Sequence, residues 1–112
     1  MNSKNGNTQV SKDDVWEKGR IVDKVDPKVF RQDYAGAWIR YDDYGNRDSQ
    51  YGWEIDHIKP LSLNGADVLD NCFPVQWQNN VQKGDDYPRW ATAVSADGQN
   101  NVDLVKYWKI NE

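Results

Sequence analysis

An α+β fold in one small domain is predicted for this 112-residue chain: a central strand–loop–strand–helix unit flanked by an N-terminal helix and a C-terminal β-hairpin. Three observations predict it. The length supports one modest core but not two. A composition of 29% charged and 38% hydrophobic residues is that of a globular chain. Short β-rich runs and helix signals also alternate along the sequence, separated by turns rich in Gly, Asp and Asn.

The elements follow in order. Residues 1–9 are polar, lack the hydrophobic stretch of a signal peptide, and are expected to form a flexible leader, with order from about Val10 onward. The domain proper is expected over 10–112. Residues 11–20 suggest a short helix around Val15 and Trp16, ending near Gly19. Asp26-Pro27 has the form of a second helix start, with Asp as N-cap and Pro at the first helical position, and Gly36 is placed to end it. Residues 37–41 are short and β-rich, hence a strand, and 42–48 a turn-forming loop. Over 52–58 the residues alternate, with Trp53, Ile55 and His57 on one face and Glu54, Asp56 and Ile58 on the other. An ordered loop over 60–67, a short strand over 72–75 and a helix over 75–83, ended at Gly84, come next. Residues 91–96 and 102–110 are expected to pair as strands around Asp97-Gly98, with a helix over 102–109 as the open alternative.

Several classes are excluded. No apolar run approaches the ~20 residues of a membrane span. Cys72 is the only cysteine, so no intrachain disulfide is possible and a reducing, cytoplasmic setting is expected. One cysteine and one histidine cannot complete a four-ligand structural zinc site, and none is expected. Cys72 lies in an apolar stretch and reads as a small core residue.

The most informative stretch is Glu54-Ile55-Asp56-His57-Ile58-Lys59-Pro60, followed by Asn71 and then Asn80-Val81-Gln82-Lys83. His57 is the only histidine and stands beside a carboxylate; Asn71 lies fourteen residues on, and Asn80 nine beyond that. A lone Asp-His pair carries little information. The ordered set of Asp56, His57, Asn71, Asn80 and Lys83 carries much more. It resembles the HNH nuclease motif in an Asp-His…Asn…Asn form, with the last position in an Asn-x-x-Lys setting. Residues 60–67 resemble that family's loop and 70–75 its return strand, so the resemblance covers roughly residues 50–90.

The resemblance implies a ββα-metal unit and an endonuclease that hydrolyses DNA phosphodiesters to 5′-phosphate and 3′-hydroxyl ends. It implies one Mg2+ or Mn2+ per site, held by Asp56 and the side-chain carbonyl of Asn80. It makes His57 the general base and Asn71 the residue that ties the loop down to hold that histidine. The chemistry agrees: hard oxygens suit these ions, and imidazole is the side chain best matched to proton transfer near neutral pH. On an ideal strand Asp56 and His57 face opposite ways, so the strand end must twist for both to flank one phosphate. Lys83 shares a helix face with Asn80 and is a candidate phosphate contact or a solvated surface lysine. Arg40, Arg47 and Lys59 are the other phosphate candidates, and Glu54 a candidate for the metal's outer shell.

A net charge of −4 is unusual for a nucleic-acid enzyme. Residues 1–52 carry nine basic and nine acidic side chains, whereas 53–90 carry three basic and six acidic. The motif region therefore suits a divalent cation better than bare phosphate, and basic residues of the first half must grip the substrate. Six tryptophans and six tyrosines divide similarly: Trp38, Trp53, Trp77 and Trp108 are expected in the core, with Tyr44 and Tyr51 available for nucleic-acid contact. Duplex DNA is the expected partner, and no membrane. The rival readings are a noncatalytic nucleic-acid or protein-interaction module on the same fold, and a nuclease toxin domain neutralised by a partner; an inhibitor or a larger nuclease complex is the further partner expected.

Overall fold

Ser11 starts the first element: its hydroxyl accepts the Asp14 amide at 3.4 Å and caps α1, Lys12–Trp16, which buries Val15 and Trp16. The computed structural model describes residues 8–111, so most of the expected leader lies outside the described residues. Thr8 and Gln9, at its end, donate hydrogen bonds to the Asp67 carboxylate. Among the described residues there are three antiparallel strand pairs: β1 (Phe30–Gln32) with β2 (Trp38–Arg40), β3 (Trp53–His57) with β4 (Cys72–Gln76), and β5 (Arg89–Asp97) with β6 (Asn100–Lys109). Helix α2, Trp77–Lys83, follows β4 directly. This is the expected small α+β architecture. Residues 102–109 are extended, which closes the helical alternative.

The helix expected from Asp26-Pro27 does not form. Asp26 does cap one turn, its Oδ1 accepting the Lys28 amide at 2.9 Å and its carbonyl those of Val29 and Phe30 at 3.0 Å. The turn is not propagated because Asp33 offers the backbone a competing partner. Its Oδ1 accepts the amides of Ala35 and Ala37 at 3.0 and 2.9 Å, Gly36 adopts a φ of +87°, and the chain reverses into β2. Asp33 Oδ2 accepts the Gln76 amide and Asn79 Nδ2, both at 3.0 Å. This buried carboxyl thus joins the β1–β2 turn to the start of α2. Burial pushes its pKa up, and the hydrogen bonds pull the other way.

The core gathers Val15, Trp16, Ile39, Trp53, Ile55 and Cys72, with the Trp16 and Trp53 rings 5.2 Å apart. Trp53 is fully buried as expected. Trp38, Trp77 and Trp108 are half-buried, their indole N–H groups donating to Gly98 O, Ser49 O and Thr92 Oγ1 at 2.7, 2.8 and 3.0 Å. Tyr44 and Tyr51 are not open stacking platforms: Tyr44 packs 4.8 Å from the Trp53 ring, and Tyr51 meets Phe30 edge-on at 5.2 Å.

Helix α2 is set by unusual chemistry. Gln76 serves as its N-cap, its Oε1 accepting the amides of Gln78 and Asn79 at 2.7 and 3.1 Å. Gly84 ends it with a φ of +55°. Asn79 fixes it to β5, where Oδ1 accepts the amides of Ala93 and Val94 at 2.7 and 2.8 Å and Nδ2 donates to Val94 O at 3.1 Å. The β5–β6 register shifts between Thr92 and Val94, where the Asn79 side chain engages the backbone.

Candidate active site

Alternation along β3 sends Glu54 and Asp56 toward α2. Glu54 Oε1 accepts from Asn80 Nδ2 at 2.8 Å, and Asp56 Oδ2 lies 3.4 Å from Lys83 Nζ. These four side chains are buried. Arg47 closes the group from its loop, donating from Nε and Nη2 to Glu54 at 2.6 and 2.9 Å in a bidentate pair. Lys83 Nζ also lies 5.2 Å from the centre of the Trp90 ring.

Two adjacent asparagines are distinguished by what they touch. Asn79 has both ends of its amide satisfied by Asp33 and β5. Asn80 has Nδ2 committed to Glu54, while its buried Oδ1 accepts no hydrogen bond among the described residues. A buried carbonyl in that state is costly in a protein interior. A hard cation would satisfy it, and the donor set of one carboxylate and one amide carbonyl fits Mg2+ or Mn2+.

His57 turns to the opposite side of β3. Its Nε2 stands 2.8 Å from Asp67 Oδ1, and Asp67 also accepts from Thr8 Oγ1 and from the Gln9 amide, the latter at 2.8 Å. The bond to His57, and then that to Thr8, hold the Asp67 carboxyl down to about 2. An ionised carboxylate can only accept, so the imidazole proton belongs on Nε2 and Nδ1 keeps the lone pair. Cys72 is the cross-strand neighbour of His57 and is fully buried, and burial raises its thiol pKa. Asp56 and His57 therefore meet different neighbours, Lys83 on one side and Asp67 on the other.

Asn71 ties the intervening loop. Its Nδ2 donates to Lys59 O and Ala66 O at 3.0 and 2.9 Å, and its Oδ1 accepts the Lys59 amide at 2.9 Å. The closure is tight: a Cβ at Gly65 would stand 1.7 Å from Lys59 O. Asn71→Ala is expected to lower stability by about 1–3 kcal/mol, because Lys59 and Ala66 lose side-chain partners. A thermal melt beside a Mg2+ titration checks this, with destabilisation and unchanged metal affinity as the expected pair. Collapse of metal affinity in a stable variant would instead make Asn71 a ligand.

The four basic candidates are dispersed. Arg40, at the end of β2, is exposed, and Lys59 is half-buried in the loop. Arg47 is engaged with Glu54, and Lys83 is buried beside Asp56 rather than solvated. Asp67 was missed by the sequence reading. It is one of two carboxylates between His57 and Asn71, and nothing in the spacing separates it from Asp70.

A model of a family described as HNH endonuclease matches residues 34–89, half of the chain and all of the motif. No curated protein and no solved structure matches the chain.

Proposed function

This chain belongs to the HNH endonuclease family, and on that premise we propose that it is a divalent-metal-dependent endonuclease that hydrolyses DNA phosphodiester bonds. The orientation of Asn80 carries the reading: Oδ1 is left buried and without a hydrogen bond on the helix whose Lys83 reaches Asp56. Asp56 and Asn80 would hold Mg2+ or Mn2+, which would supply charge stabilisation at the phosphate and at the leaving 3′ oxygen. His57 takes a proton from the attacking water at Nδ1, while Asp67 holds the ring through Nε2–H. Asn71 keeps the loop closed beside it. Glu54 orients the Asn80 amide, and Arg47 neutralises Glu54.

Asp56 and His57 are only 1% and 3% exposed and face opposite sides of β3, so the reading requires what covers them to move aside and the strand end to twist for both to flank one phosphate. The test is incubation of supercoiled plasmid with the purified chain and Mg2+ or Mn2+, beside an EDTA control. Metal-dependent nicking or linearisation is expected. Inert but folded protein with both metals would favour the noncatalytic interaction module, which the net charge of −4 suits better.

Phosphate grip under this reading falls first to Arg40, because Arg47 must release Glu54 and Lys83 is buried. Binding of a labelled duplex by the His57→Ala protein with Mg2+ should weaken as monovalent salt rises. Arg40→Ala should lower the slope of log affinity against log salt by about one unit if the guanidinium pairs with a phosphate. An unchanged slope in fluorescence anisotropy would remove Arg40 from the interface.

A further inference from the structure

We propose that His57, Asp67 and Cys72 form a second metal site, one that takes a thiolate-preferring divalent ion such as Zn2+ and switches the general base off. One ligand atom from each lies within 4.8 Å of the other two, and the His57 and Asp67 atoms are 2.8 Å apart. The β3–β4 register places His57 directly across from Cys72, and Asp67 is brought over them from the loop. In tetrahedral zinc the bond lengths place donor atoms roughly 3.3–3.7 Å apart, so modest side-chain adjustment suffices. Imidazole, thiolate and carboxylate are the ligand types zinc takes. Three protein ligands fall short of a closed structural site and leave the fourth position to water or to Thr8 Oγ1, which already bonds Asp67. Mg2+ prefers all-oxygen surroundings and is excluded by the sulfur and nitrogen.

The inhibitory consequence rests on the nuclease reading above; the site itself does not. A neutral imidazole carries one proton, and in this chain it faces Asp67 from Nε2. An ion bound at Nε2 uses that nitrogen's lone pair, so the single ring proton must reside on Nδ1. The Cys72 thiol proton leaves to solvent, and no electron is transferred. Nδ1 then donates and can no longer accept a proton from water. The ion and the catalytic proton transfer are mutually exclusive through one ring.

The experiment uses the untagged, reduced 112-residue chain and titrates it with Co2+ as a spectroscopic stand-in for Zn2+. One equivalent should produce a thiolate-to-metal charge-transfer band and the intense visible bands of four-coordinate cobalt. Both should disappear when Zn2+ is added, and both should be missing in Cys72→Ala and in Asp67→Ala. A spectrum without the charge-transfer band, from protein shown to be folded, overturns the site whatever the plasmid assay gives. In the cleavage assay Cys72→Ala should retain Mg2+-dependent activity and need at least tenfold more Zn2+ for half-inhibition. Equal inhibition of both proteins would overturn the switch and place the zinc effect at Asp56 and Asn80. If Cys72→Ala fails to fold, Cys72→Ser is used for the inhibition arm. Absence of cleavage with both Mg2+ and Mn2+ would sink the nuclease reading and the switch together, while the cobalt spectrum still decides the site.

Discussion

His57→Ala should lower single-turnover DNA cleavage by about 10²–10⁴-fold, the usual loss when a positioned general base is removed. His57 is the only histidine, so no second imidazole is present to replace it. The fold should survive, because Asp67 keeps the donors Thr8 and Gln9 and is partly exposed to solvent. Mg2+ affinity should be close to that of the parent, since the ring turns to the side of β3 away from Asn80. Near-parental cleavage by rigorously purified His57→Ala would remove this residue from the mechanism. The tether through Asp67 also carries a pH signature. Its carboxyl falls from the ordinary 3.8 to about 2 in the folded chain, so the stabilisation is present above 3.8 and lost as pH falls through about 2. Protonation of Asp67 is therefore expected to affect activity only as pH falls toward about 2, which a pH–rate profile checks.

Asp56→Asn and Asn80→Ala should each weaken Mg2+ binding and cleavage together, by at least about 10–100-fold, the range already seen for residues that merely support metal ligands. Asp56→Asn is preferred to Asp56→Ala because it keeps an oxygen and a similar shape 3.4 Å from the buried Lys83 ammonium. Breaking a buried ion pair from one side with no polar replacement costs about 3–5 kcal/mol and would confound the measurement. Asn80→Ala carries its own control, since Glu54 loses a donor but retains the Arg47 fork. Calorimetric titration with Mg2+ beside a cleavage time course checks both variants. Unchanged metal affinity in both would place the ion elsewhere.

The motif unit was legible in the sequence because its signals are local and agree with one another. Alternation over residues 52–58 gave β3, the turn-rich loop its length, and Gly84 the end of α2. The span 26–35 departs from its helix-start signal for a definite reason. The helix-start signal at Asp26 is satisfied by one turn, and the signal that ends it is a side-chain bond from Asp33 to residues ahead of it. The other carboxylate oxygen accepts from Gln76 and Asn79, far along the chain, so the contacts that hold Asp33 in place have no local signal. The site divides the same way. Asp56, His57, Asn71 and Asn80 are marked by order and spacing. Asp67 and the Glu54–Arg47 fork are partners acquired in three dimensions, and no one-dimensional period announces them.

Asn79 bears on whether this candidate site can be transplanted. The family match runs from residue 34 to 89, while the groups that hold the Asn79 side chain, the Asp33 carboxylate and two amides and one carbonyl of Ala93 and Val94, all lie outside it. A graft of the matched segment alone into another protein would carry every motif residue and still lack the brace for its helix. Each buried polar group so stranded costs about 1–3 kcal/mol, enough to let the turn bearing Asn80 drift from the strand bearing Asp56. Any portable version of this candidate site has to include Asp33 and the terminal hairpin, or a host offering a carboxylate, two amides and a carbonyl in the same places.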